Sequence, residues 1–179
     1  MADYNIERLN FLVVDDNHHM RHLVRMILKS LGVNEIMEAE DGSAALRTME
    51  NYEADIVICD WNMQPMDGIA FTKMIRTSED SPNIYVPIIM LTGHTEISRV
   101  KIARDAGVNE FLAKPVSAHK IYQRIKSVLD NPRQYVRTPT YFGPNRRRRD
   151  DPSYDGEERR KALHKKPEVE AEEQAGASA

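Results

Sequence analysis

Five side chains of this 179-residue chain stand where they could act together on one ligand. Asp15 and Asp16 follow the apolar run "NFLVV" (10–14), Asp60 follows "IVIC" (56–59), Thr92 follows "VPIIML" (86–91), and Lys114 with Pro115 follows "EFLA" (110–113). Singly, each has an ordinary explanation: Asp15 or Asp16 as a helix cap, Thr92 as a turn residue, Lys114-Pro115 as a surface dipeptide. Together they make a reactive set. Two carboxylates about 4 Å apart repel by roughly 4 kcal/mol at an effective dielectric near 20, and a third worsens this unless protons or a cation are taken up. A hard divalent ion with oxygen ligands relieves the repulsion, and Mg2+ keeps positions open for water and a phosphate oxygen. Lys114 and Thr92 offer an incoming phosphoryl group a fixed positive charge and a hydroxyl donor. Asp60 is then left as the nucleophile.

What brings these residues together is the alternation of apolar runs with helical patterns. The four runs above, with "EIMEA" (35–39), read as five strands separated by helices, which predicts an α/β fold with right-handed crossovers and a parallel sheet covered on both faces. All strands of such a sheet point their carboxyl ends to one edge, where ligands bind. The clearest helix follows the first run, with Met20, Leu23, Val24, Ile27, Leu28 and Leu31 at the spacing of one face and Gly32 as its stop. Others are expected over about 42–50 after Asp41, 68–78, 95–106, and from Ser117 onward, the last burying Ile121, Ile125, Val128 and Leu129. The connection "TSEDSPNIY" lies at the opposite sheet edge and reads as a tolerant surface loop.

Composition divides the chain. Residues 1–130 carry 14 Lys and Arg against 19 Asp and Glu, whereas residues 131–179 carry 11 against 9 and hold five of the nine prolines. Few aliphatic residues remain after Asp130, so 1–130 reads as one domain and 131–179 as a charged, disordered tail. Within it, "YVRTPTYFGP" keeps three aromatic residues suited to docking on a folded surface, the chain's own or a partner's. No apolar segment approaches the roughly 18 residues of a membrane span, so no membrane insertion and a cytoplasmic location are expected. The lone Cys59 lies inside an apolar run and reads as a core residue. His18 and His22 have i, i+4 spacing, but no accompanying Glu favours a zinc site.

The runs "FLVVDD", "MRHLVRMILKSLG", "EAEDG" and "DWNMQPMDG" resemble those of bacterial response-regulator receiver domains, chemotaxis-type single-domain receivers in particular, over about residues 5–130. The resemblance implies a doubly wound, flavodoxin-like sheet of order 2-1-3-4-5 with about five helices. It implies that Asp60 is the phosphoacceptor, that Asp16 binds Mg2+ directly and Asp15 largely through water, and that the backbone carbonyl of Asn62 completes the metal site. A sensor histidine kinase or a small donor such as acetyl phosphate would phosphorylate Asp60. The peptide between Lys114 and Pro115 is expected to be cis. Thr92 and Phe111 are the expected switch pair, the hydroxyl moving toward the phosphoryl group and the ring turning inward behind it. Receivers of this type often carry Tyr at the Phe111 position. Asn62 and His94 match the positions from which members of that family tune acyl-phosphate lifetime.

The leading reading is thus a two-component response regulator: not an enzyme, but a protein that catalyses only its own phosphorylation and dephosphorylation and so switches a surface for a downstream protein partner. Chemotaxis or motility is the expected pathway. The alternative is a phosphorylation-controlled transcriptional or nucleic-acid regulator acting through "NRRRRDD" and "EERRKALHKK" in the tail, although acidic and basic blocks there nearly cancel. A haloacid-dehalogenase-type phosphatase ranks third, because it wants its nucleophile on the first strand with a second Asp two residues on; here the pair is Asp60 and Asn62, on the third.

Overall fold

The structure, a computed structural model, describes residues 6–93 and 97–145, with backbone alone over 97–100. The five apolar runs become strands: β1 Asn10–Val14, β2 Glu35–Ala39, β3 Ile56–Asp60, β4 Ile88–Thr92 and β5 Glu110–Ala113. They pair in parallel in the order β2-β1-β3-β4-β5. The sheet begins β4 two residues later than its apolar run because Pro87 has no N–H to give a ladder. Four helices connect the strands and a fifth follows β5: α1 His18–Ser30, α2 Gly42–Met49, α3 Gly68–Thr77, α4 Ile97–Ala106 and α5 Ala118–Asp130. Asn17, Asp41, Asp67 and Ser117 start four of them, each accepting a backbone N–H of the first turn on its side chain.

Alternate strand residues face opposite sides. Phe11, Val13, Ile58 and Leu91 pack with Val24 and Leu28 of α1 and Ile121 and Ile125 of α5. Leu12, Val14, Val57 and Cys59 pack with Ala45 and Met49 of α2 and Phe71 and Ile75 of α3. Val128 and Leu129 are only half-buried at the rim. Leu23 departs from the expected helical face and is 44% exposed. At about 100° per residue it lies roughly 105° from the centre of the face that Val24, Leu28 and Leu31 define.

Residues 131–145 differ from the expected tail. They form a two-stranded antiparallel hairpin, β6 Tyr135–Thr138 and β7 Tyr141–Pro144, turning at Pro139-Thr140. Of the two surfaces open to its aromatics, the hairpin uses the chain's own: the rings of Tyr85, Tyr135 and Phe142 lie 5.2–5.7 Å apart. Its anchor is Arg76, only 2% exposed. The guanidinium donates to the carbonyls of Gly107, Ile84 and Val86 and to Asn109 Oδ1, and lies 5.3 Å from the centre of the Tyr135 ring. A buried cation surrounded by acceptors and an aromatic face is satisfied without a carboxylate. The loop before β4, read as tolerant, is thereby held at the Ile84 carbonyl, and the residue just after it at the Val86 carbonyl. The compact unit continues past residue 130 through this hairpin; the Arg and Lys blocks from 146 onward lie outside the described residues.

Candidate functional site: an acidic cluster at the carboxyl edge of the sheet

The fold brings Asp15, Asp60, Thr92 and Lys114 to one edge, each immediately after or at the end of a strand. Neighbouring strand ends are joined by backbone bonds that run on past the ladder: Asp15 N–H to Ala39 O at 3.2 Å, Trp61 N–H to Leu91 O at 3.0 Å, and Lys114 N–H to Thr92 O at 2.8 Å. The positions are thus fixed by the sheet itself rather than by loops.

Helix capping is not the task of the first two carboxylates. Asn17 takes it, accepting from His19 and Met20 N–H, which frees the others. Asp15, 1% exposed, receives the Asn17 N–H on Oδ1 at 2.9 Å and the Lys114 ammonium on Oδ2 at 3.2 Å. Asp60, 6% exposed, meets the same ammonium at 2.8 Å. Asp16 is exposed, and it shares an open cleft with Asn62, Met63, Gln64 and Asp67. Carboxylate oxygens of Asp15, Asp16 and Asp60 all lie within 4.8 Å of one another, the only such trio of metal-ligating groups among the described residues. Three carboxylates therefore face one ammonium.

The imbalance shows in the acid–base character of the pair at its centre. Burial pushes the Asp60 carboxyl above its usual range; Lys114 pulls the other way, but Asp15 adds to the rise. Burial tends to lower the Lys114 ammonium, and its hydrogen bonds and charge attraction to Asp60 and Asp15 outweigh this, holding it above the ordinary lysine value. The donor set, hard oxygens with surplus negative charge and an open side toward Asp16 and Asn62, suits a small divalent cation.

Thr92 is buried beside this cluster. Phe111, one residue into β5, is half-buried against Trp61, Ile69 and Met90, which makes it neither a free surface ring nor a fully enclosed one. The peptide between Lys114 and Pro115 is cis, as the resemblance implied. His94 lies outside the described residues.

One position at the site was not singled out from sequence. Gly68, the first residue of α3, donates its N–H to Trp61 O at 3.0 Å, and a Cβ there would run into the carbonyl oxygen of Asp60. A side chain at 68 would thus push against the backbone of Asp60, a member of the acidic cluster. The glycine directly after the cap Asp67 was its only signal. Cys59, adjacent to Asp60, is fully buried, as expected of a core residue; burial first, and then Asp60, raise its thiol well above the usual value, and it points to the Asp60 carbonyl at 3.2 Å.

Residues 11–126 match the response regulator receiver domain family, and the chain belongs to it. Among its relatives, chemotaxis protein CheY-3 of Vibrio cholerae is 33% identical over 124 residues, 69% of this chain and 94% of that protein. Two solved structures, each 30% identical, share the fold. The receiver domain of a Pseudomonas aeruginosa sensor histidine kinase, with a magnesium ion coordinated in its active-site cleft, matches with a TM-score of 0.58 over 66% of this chain and 94% of that one. A Borrelia burgdorferi complex of CheX, CheY, beryllofluoride and magnesium matches with a TM-score of 0.60 over 68% and 89%. The chain is accordingly a response-regulator receiver of the two-component type, a signalling protein rather than a conventional enzyme. Among the described residues no helix is long and apolar enough to cross a membrane.

Proposed function

We propose that Asp60 accepts a phosphoryl group from the phosphohistidine of a sensor kinase, in chemotaxis-type signalling, and that the acyl phosphate alters a surface read by a downstream protein. The observation that carries this reading is the cluster itself: a buried carboxylate, its neighbours Asp15 and Asp16 within 4.8 Å, and one ammonium shared between Asp15 and Asp60. A carboxylate oxygen of Asp60 attacks phosphorus; the P–N bond breaks, and its electron pair stays with the imidazole. Asp15, Asp16, Asp60 and the carbonyl of Asn62 would hold Mg2+, which when bound supplies charge neutralisation for the phosphoryl oxygens. Lys114, already paired with Asp60, would transfer one of its hydrogen bonds to a phosphoryl oxygen, and the Thr92 hydroxyl would donate to another. Phe111, half-buried behind Thr92, would fill the space that this movement opens. The partner of the phosphorylated form is a protein on this reading, as CheX accompanies CheY in the Borrelia complex.

Trp61, the only tryptophan, adjoins Asp60 and makes the test direct. Mg2+ followed by acetyl phosphate or beryllofluoride is expected to change Trp61 fluorescence, and Asp60→Asn to abolish the phosphodonor response and all acyl-phosphate incorporation. A phosphodonor response that persists in Asp60→Asn overturns the assignment. The nucleic-acid alternative rests on the basic tail 131–179, whose Arg and Lys blocks from 146 onward lie outside the described residues.

A further inference from the structure

The appended hairpin grips the two strands that carry the switch residues, and it does so at their starting ends. Asn109, directly before β5, is the node. Its Oδ1 accepts from the N–H of Ile88, the first residue of β4, at 3.0 Å and from Arg76 at 3.2 Å, while its Nδ2 donates to the Tyr135 hydroxyl of the hairpin at 3.4 Å. That hydroxyl in turn donates to Tyr85 O at 2.7 Å. On one side of Asn109, Gly107 takes φ +103°, and its Cα lies 3.0 Å from where a Cβ on Gly143 of β7 would stand, so strand and turn are in close backbone contact. On the other side Glu110, 5% exposed, meets Arg133 of the appended segment at 3.6 Å and Ser127 Oγ at 3.2 Å. The residue after Glu110 is Phe111. The strand that begins at Ile88 ends at Thr92.

We propose that residues 131–145 are a built-in restraint on the phosphorylation switch: by holding Gly107, Asn109 and Glu110 at the starts of β4 and β5, the hairpin opposes the movement of Thr92 and Phe111 expected on occupation of the Asp60 site. The proposal rests on the reading of Asp60 as phosphoacceptor. It concerns how much that site's occupation costs, because a ligand shifts a two-state element only by its differential affinity for the two arrangements. Tyr135, Gly143 and Arg133 act through β5 and are positioning residues; none touches the acidic cluster.

The experiment is a beryllofluoride titration of the full-length chain in saturating Mg2+, read by Trp61 fluorescence, for wild type, Tyr135→Phe and Tyr135→Ala. Tyr135→Phe keeps the ring over Arg76 and removes only the hydroxyl bonds to Asn109 and Tyr85, so it guards against loss of folding. The midpoint is expected to fall by at least about fivefold in Tyr135→Ala and by a smaller factor in Tyr135→Phe, the scale of ordinary coupling between sites. Acetyl-phosphate labelling of Asp60 should quicken in the same order. A merely structural role would lower thermal stability and leave the midpoint alone. An unchanged or raised midpoint in both variants, with wild type responding normally, overturns the restraint. Absence of any Asp60-dependent response in wild type instead removes the phosphoacceptor reading, and this proposal with it.

Discussion

The two edges of one sheet handle buried charge in opposite ways. At the carboxyl edge three carboxylates cluster around a single ammonium that pairs with only two of them, Asp15 and Asp60, and burial leaves Asp60 poised above the usual carboxylate range. At the other edge Arg76, equally buried, is enclosed by four hydrogen-bond acceptors and a tyrosine ring, with every guanidinium nitrogen engaged. Buried charge alone therefore does not mark a functional site; what marks it is charge that the protein's own groups leave uncompensated and open to a ligand. One edge leaves carboxylate charge open to a ligand, and the other has already been filled by the chain's own hairpin.

The sharpest way to break this contrast is at Arg76. Arg76→Ala should destabilise the protein by about 4 kcal/mol, since it opens a cavity and strands several buried carbonyls, while leaving Mg2+ binding by the intact chain close to wild type. Urea unfolding and a fluorescence Mg2+ titration check both halves; weakened Mg2+ binding in a folded variant would show that the edges are not independent in this respect. A smaller loss is expected on the acidic side from Gly68→Ala, about 2 kcal/mol of overpacking, but here accompanied by slower acetyl-phosphate labelling of Asp60, whose carbonyl the new methyl group displaces.

The smallest effect sharpens the electrostatics. Between the ordinary carboxylate pKa and the higher folded value at Asp60, the native state holds more proton than the unfolded chain, so its contribution to stability falls as pH rises through that window. The penalty is complete above the folded value and absent below the ordinary one. Metal-free Asp60→Asn should therefore be more stable than wild type at about pH 7, with the difference closing at about pH 4. Urea midpoints at the two pH values decide it; a variant less stable than wild type at neutral pH would mean that the Lys114 pair outweighs the burial of Asp60.

Most of the fold was legible because a parallel sheet buries both faces and writes its strands as apolar runs, three of which match in both bounds: 10–14, 35–39 and 110–113. The acidic cluster was legible for a related reason, since strand ends fix where a following side chain must go. The hairpin was not. Its stability comes from three rings and from Arg76, and Arg76 in sequence is an unremarked basic residue in the last turn of α3. Nothing local says that a guanidinium 59 positions before Tyr135 will be its seat. The capping role of Asn17 was hidden similarly, behind two aspartates that suit the same task.

Cys59 has one further use. It is the chain's only cysteine, and its thiol is fully enclosed and held by burial well above its usual pKa, so it stays protonated at neutral pH. A cysteine introduced at exposed Thr140, on the hairpin turn, would be the sole site open to maleimide chemistry. With the sole indole beside Asp60, a dye at that position forms a resonance-energy-transfer pair already addressed to the two ends of the molecule that matter. Hairpin position and site occupancy can then be followed in one cuvette, as one time course, with Thr140 the single residue altered and the acidic cluster untouched.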